Sequence, residues 1–240
     1  MQKTSTFLLL LGLISLNSCF VSFDSKDEIE GNGEIIEESL EQESFTGLSI
    51  NGVFEVILHP GQSHSITMTG DENLIQEIKV ELKNGILDIR SEKNFKSKKS
   101  VKIDVYAENF EEIKIFGAAD CSADEVLSGD KIHLDIGGAG NIQLAFEVGE
   151  LDTNISGAGN LNLSGTADVL DVQISGAANL LSYELETHKA KLRMSGAGNA
   201  EVYADEELTV SLSGLGRVSY KGNPPVVNKK VSGLGVVSEG

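Results

Sequence analysis

One ten-residue phrase recurs along this chain at nearly constant spacing, and few folds can accommodate such a pattern. The phrase reads Asp135-Ile-Gly-Gly-Ala-Gly-Asn-Ile-Gln-Leu144, then Asn154-Ile-Ser-Gly-Ala-Gly-Asn-Leu-Asn-Leu163. Two further copies are Gln173-Ile-Ser-Gly-Ala-Ala-Asn-Leu-Leu-Ser182 and Arg193-Met-Ser-Gly-Ala-Gly-Asn-Ala-Glu-Val202. Fainter copies flank these four, with their turns at Gly117, Gly214 and Gly233. The seven turn glycines, Gly117, Gly138, Gly157, Gly176, Gly196, Gly214 and Gly233, are separated by 21, 19, 19, 20, 18 and 19 residues. A fixed period of about 19 residues marks a stacked repeat.

Each repeat carries an alternating apolar stretch before its glycine corner and another after it. Alternation buries one face of a strand. In residues 151–155 the inward set is Leu151, Thr153 and Ile155; Asp152 and Asn154 face out. The next copy aligns Leu170, Val172 and Ile174 inside, with Asp171 and Gln173 outside. Coils of constant length stack such strands in parallel at about 4.8 Å, so seven rungs form a column of roughly 30 Å. No rung buries its own face, but stacked rungs share a core. The expected fold is all-β, a single-stranded β-solenoid or β-helix-like stack with rungs of about 19 residues. Composition agrees: 26 glycines, no Trp and 5% aromatics suit a stack of small aliphatic columns with glycine corners.

The corners also align Asp120, Asn141, Asn160, Asn179 and Asn199 in one column. Stacked side-chain amides hydrogen-bond up such columns, so these five residues read as a structural turn ladder. Residues 137–141 resemble the calcium-binding Gly-Gly-x-Gly-x-Asp nonapeptide, but the period is wrong and Asn replaces Asp. No helix follows the glycines, which argues against dinucleotide binding. Neither metal nor cofactor is expected.

Outside the repeats, residues 1–18 read as an export signal: Lys3, then an apolar run over 7–16, too short for the roughly 20 residues of a membrane span. The segment Leu16-Asn17-Ser18-Cys19 resembles a bacterial lipobox, which implies lipidation of Cys19 and a membrane anchor. Residues 19–43 follow as an acidic tether, with nine acids and one Lys over residues 20–43. Ser25-Lys26-Asp27-Glu28 resembles the surface-export signal of Bacteroidetes lipoproteins. The main domain spans 44–240. Its first part, 44–114, reads as antiparallel β, with Asn51-Gly52 as a hairpin or corner and Lys83-Asn84-Gly85 as a hairpin. Asp71 is placed to cap a short helical turn. Lys93, Lys96, Lys98, Lys99 and Lys102 read as a solvated connection. The repeats fill 115–240.

The repeated Ser-Gly-Ala-Gly-Asn turn, preceded by Gly52-Val-Phe-Glu-Val56, resembles the GIN head-domain family, whose members carry the description auto-transporter adhesin by name alone and are frequent in Bacteroidetes. The resemblance spans about residues 45–240 and implies a secreted or lipid-anchored β-solenoid domain without an established activity. No autotransporter barrel follows the repeats in this sequence, which leaves the lipid anchor as the expected attachment.

A net charge of −18 repels nucleic acid and anionic lipid. The acids Asp152, Asp171, Glu184 and Glu186 are scattered, and His59, His64, His133 and His188 show no metal or triad spacing. Cys121 reads as a small buried or corner residue. The expected role is a non-enzymatic outer-membrane lipoprotein, more on the cell surface than facing the periplasm, that offers a solenoid face to proteins or glycans. The alternatives are a periplasm-facing scaffold or sensor partner, and a carbohydrate-active β-helix enzyme.

Overall fold

The computed structural model describes residues 28–240; residues 1–27, which include the expected export signal and Cys19, lie outside it. In chain order the first elements are β1 (Glu28–Glu30), β2 (Ile35–Glu41), β3 (Gly47–Gly52), β4 (Phe54–Pro60) and β5 (Ser65–Asp71). A single helical turn, α1 (Glu72–Ile75), leads to β6 (Ile78–Lys83), β7 (Ile86–Ser91), β8 (Asn94–Lys96) and β9 (Val101–Ala107). The repeats begin with β10 (Glu112–Gly117), β11 (Asp120–Ala123) and β12 (Leu127–Ile136). Two long strands follow, β13 (Ala139–Ile155) and β14 (Ala158–Ile174), then β15 (Ala177–Ser182), β16 (Leu185–Met194) and β17 (Ala197–Tyr203). The described chain finishes with β18 (Glu207–Leu212), β19 (Leu215–Lys221), β20 (Val226–Val231) and β21 (Val236–Glu239).

These strands wind into a β-solenoid of about seven turns with rungs of about 19 residues. Two walls meet at the glycine corner. The wall before the corner runs β6-β7-β3-β10-β12-β13-β14-β16-β18-β20. The wall after it runs β2-β5-β9-β4-β11-β13-β14-β15-β17-β19-β21. At 17 residues each, β13 and β14 continue round the far corner and belong to both walls.

The register is the one the alternation demands. Leu151 lies opposite Leu170, Thr153 opposite Val172 and Ile155 opposite Ile174. All six side chains are buried, and the columns they head form one continuous core with the rest of the stack. Burying each Leu or Ile contributes about 1.5–3 kcal/mol relative to exposure, so the core columns supply the main driving force for stacking.

The glycine corner is the tightest contact between rungs. The Ala158 N–H donates to the Gly138 carbonyl at 2.9 Å, and the Ala177 N–H to that of Gly157 at 3.0 Å. A Cβ on Gly157 would lie 1.8 Å from the Gly138 oxygen, and one on Gly176 1.8 Å from the Gly157 oxygen. The carbonyl that bonds the next rung thus occupies the space a side chain would need. Close approach, not positive φ, selects glycine here.

The amino-terminal part departs from the antiparallel expectation: it is a mixed sheet. Strands β3, β4, β7 and β9 are parallel rungs of the same stack. Only β2, β5 and β6 run antiparallel to their neighbours. Asn51-Gly52 is therefore a solenoid corner rather than a hairpin. Gly52 stands in register with Gly117, and its carbonyl accepts from the Ala118 N–H at 2.9 Å. The rung lacks the repeat phrase but keeps the small residue that its corner requires. Lys83-Asn84-Gly85 does join the β6–β7 hairpin, with φ of 52° at Asn84 and 76° at Gly85.

The acidic stretch is likewise not all tether. Strand β2 pairs antiparallel with β5 along seven residues, from Ile35 opposite Asp71 to Glu41 opposite Ser65. Ile36 and Leu40 pack against the core, while the glutamates between them face solvent. Charge hid an alternation that holds the strand. Asp71 does precede the helical turn but makes no side-chain cap. It is buried instead, where its carboxylate accepts from the Gly33 N–H and the Ser97 hydroxyl, each at 2.5 Å. The lysine-rich connection is partly structured too: Lys96 ends β8, Lys93 pairs with Glu77, and Lys102 pairs with Asp104.

The corner contact yields a test. Gly176→Ala forces apart two carbonyl-bonded rungs and should cost about 1–3 kcal/mol, lowering Tm by roughly 2–4 °C per kcal/mol in a chain of this size. Gly61→Ala, whose Cβ meets nothing within 4 Å, should leave Tm nearly unchanged in the same thermal melt.

Candidate functional site

The outer face of the wall after the corner carries the most regular polar array in the molecule. Registered pairing brings Asp120, Asn141, Asn160, Asn179 and Asn199 into one column beside the corner, half-buried at Asn179 and exposed at the others. Each amide donates towards the preceding rung. Asn141 Nδ2 reaches Asp120 Oδ1 at 3.0 Å, and Asn160 Nδ2 reaches Asn141 Oδ1 at 3.1 Å. Asn179 Nδ2 reaches Asn160 Oδ1 at 3.0 Å, and Asn199 Nδ2 reaches Asn179 Oδ1 at 3.3 Å. A chain of donors pointing one way needs an acceptor at its start. Asp120 is that group, and it also takes the Asn141 backbone N–H at 2.8 Å. At the other end Arg217, a donor-only side chain, stands in register with Asn199. Asp and Arg, which look like departures from the phrase, stand where the polarity of the column changes.

Two residues further along each strand lies a second column: Ser122, Gln143, Asn162, Leu181, Glu201 and Ser219. Where the columns begin, Glu55, Ser100, Asp120, Ser122, Asn141 and Gln143 line a groove of about 260 Å³. The array presents amides and hydroxyls at the rung spacing of about 4.8 Å. It can hydrogen-bond hydroxyl-rich or backbone-like partners, but it contains no paired nucleophile and base.

The remaining polar residues are organised in ways their spacing conceals. The ring of His59 lies between two carboxylates, with Nε2 2.8 Å from Asp104 and Nδ1 2.6 Å from Asp124. It stacks on Tyr106 at 4.4 Å, and Lys102 also pairs with Asp104. The cluster ties β4, β9 and the turn after β11 together. Asp152 and Asp171, which look isolated in sequence, are neighbours in register, and His133 and Arg193 flank them at 3.2 and 2.9 Å. Exposed His188 pairs with Asp205 at 2.9 Å, and that hydrogen bond holds the imidazole above its ordinary range. The stabilisation it adds is present below the ordinary imidazole value and is lost as pH rises through the raised one. Partners 17 to 65 residues apart become visible only with the rung register in hand.

Cys121 is fully enclosed in the core, and burial pushes its thiol up to about 12, so it offers no thiolate. Among the described residues no group of three or more His, Cys, Asp or Glu side chains could hold a metal ion. Cys19 lies outside the described residues.

A family model described as "Putative auto-transporter adhesin, head GIN domain" matches residues 44–224. None of the curated proteins matches this chain. Among solved structures, a "putative adhesin" from Bacteroides fragilis superposes with a TM-score of 0.84 at 20% identity, covering 88% of this chain and 99% of its own. A "putative adhesin" from Parabacteroides merdae gives 0.69 at 22% identity, with 89% and 99% covered. A "putative lipid binding protein" from Parabacteroides distasonis gives 0.70 at 18%, with 89% and 99% covered. At these identities the likeness is one of fold.

The ladder can be tested directly. Asn160→Asp removes the donor to Asn141 and sets two acceptors face to face, while Asn179 can still donate to it. The expected cost is about 0.5–1.5 kcal/mol, seen as a lower denaturant midpoint at unchanged slope.

Proposed function

Since the chain belongs to the family described as "Putative auto-transporter adhesin, head GIN domain", we propose that it is a non-enzymatic, lipid-anchored envelope protein that binds partners through its solenoid surface. The observation that carries this reading is the exposed amide column with its parallel polar neighbour, a continuous surface held by the same register as the core. Such a surface suits an extended partner, because its amide column repeats one donor and one acceptor from rung to rung. Glycan hydroxyls and polar protein surfaces both match that chemistry. Pre-organisation supports the reading, since amides already fixed in a ladder lose little freedom on binding.

Attachment would come from acyl chains on Cys19, placing the array at the outer-membrane surface. The family's description as an adhesin head supports a partner-binding role at the envelope. The name of the Parabacteroides distasonis neighbour supplies a second ligand class, lipid, but a polar amide face offers hydrogen bonds where acyl chains need apolar walls.

Protease shaving of intact cells tests the reading, with a periplasmic lipoprotein as control. Loss of the protein while the control survives is the expected result. Protection until the outer membrane is opened would overturn surface presentation and turn the search to periplasmic partners.

A further inference from the structure

The amide ladder ends at a side chain whose charge no acid in the fold answers. Position 217, where the repeated phrase puts asparagine, holds arginine, in register with Asn199. The chain has three arginines. Arg90 pairs with Glu81 and Asp88, and Arg193 pairs with Asp171. Among the described residues Arg217 joins no ion pair, although the chain carries a net charge of −18. Its side chain is exposed. A guanidinium presents five N–H donors in a planar fork and accepts nothing, so here that fork faces solvent.

The register of two rungs sets its surroundings. Along β17, Asn199, Glu201 and Tyr203 face out, alternating with buried Ala200 and Val202. Along β19, Arg217, Ser219 and Lys221 face out, alternating with buried Val218 and Tyr220. The two strands pair without a break from Ala197 opposite Leu215 to Tyr203 opposite Lys221. The six outward side chains therefore form two rows of three. The rows lie about 4.8 Å apart, and Arg217 and Lys221 stand about 13 Å apart along their strand. The rung before adds Leu181, 41% exposed, opposite Glu201. Lys221 holds its ammonium 4.2 Å from the centre of the Tyr183 ring and, among the described residues, joins no ion pair either.

Together these groups select one class of ligand. Two cations on one strand without acid partners favour an anion. The Asn199 Oδ1 and the Ser219 hydroxyl can bond hydroxyl groups. Leu181 and half-buried Tyr203 give apolar surface on which the C–H face of a sugar ring packs. A peptide main chain finds no free edge here, because β17 and β19 are each paired on both sides. Glu201, the one acid among the six outward residues, stands opposite Ser219. It accepts from hydroxyls and keeps a ligand's negative charge to the ends of the row, over Arg217 and Lys221.

We propose that this patch is a binding subsite for a carboxylate-bearing oligosaccharide, whose carboxylate pairs with the Arg217 guanidinium. The fork takes both carboxylate oxygens, which gives selectivity. Lys221 attracts a second acidic unit, and sugar hydroxyls meet Asn199, Glu201 and Ser219. The proposal rests on the partner-binding reading of the amide face, and it names the ligand class and the end of the ladder that holds it.

The test uses the ¹⁵N-labelled chain from residue 20 onward, which contains every described strand, and two probes that differ in charge, trigalacturonate and its trimethyl ester. Trigalacturonate is expected to shift the Arg217, Ser219 and Lys221 amides saturably, with a Kd of roughly 1 mM or below. The ester should bind at least about tenfold more weakly. Arg217→Asn restores the residue of the repeated phrase, so it should keep Tm and lose the preference for the acid. Glu201→Gln removes the opposing charge and should tighten binding of the acid without changing that of the ester. Equal binding of acid and ester, or an unchanged preference in Arg217→Asn, would overturn the carboxylate assignment while leaving the amide face as a binding surface. Shifts confined to other strands, or none by about 10 mM, would overturn the subsite itself. Surface presentation is read separately by protease shaving, so neither failure is mistaken for failure of that reading.

Discussion

The structure depends on one contact repeated at each level: a glycine carbonyl that accepts from the next rung's N–H in a space where no Cβ fits. Gly138, Gly157, Gly176 and Gly196 each provide it to the residue at the following corner. With the corner fixed this closely, every residue a set number of positions away falls into register as well. The buried aliphatic columns, the amide ladder and the paired charges are all consequences of that register. Change one rung by a residue and each column downstream of it would face the wrong way.

The same dependence explains which parts could be read from sequence. Between Asp135 and Val202 the phrase repeats almost unchanged, so the period, the inward face and the Asn column followed from arithmetic. The rung of β3 and β4 was hidden because only Gly52 survives from the phrase, and that of β7 and β9 because it has no such corner at all. Strand β2 was hidden by composition: Ile36 and Leu40 give the alternation, but the glutamates around them suggested a solvated linker. Buried Asp71 was placed at the right point in the chain for a helix cap, yet its carboxylate is used to hold the Gly33 and Ser97 turns.

The polar residues show a related limit. Asp152 and Asp171 look scattered along the chain, although the 19-residue step sets them side by side. The His59 cluster also follows the parallel register, with His59 opposite Tyr106 on β9 and beside Asp124 just past the Leu58–Ala123 pair, but no repeat phrase marks those rungs in the sequence. The regular stacking of this solenoid accounts for its stability and for the amide array.

Native-state hydrogen exchange at the corner amides tests the central claim most directly. The N–H groups of Ala158, Ala177 and Ala197 belong to surface-exposed residues, so only the bond to the preceding glycine carbonyl can protect them. The account predicts slow exchange at all three, lost together as the stack unfolds. Rapid exchange at these amides while the buried core strands stay protected would contradict it, and would leave apolar burial alone as the source of register.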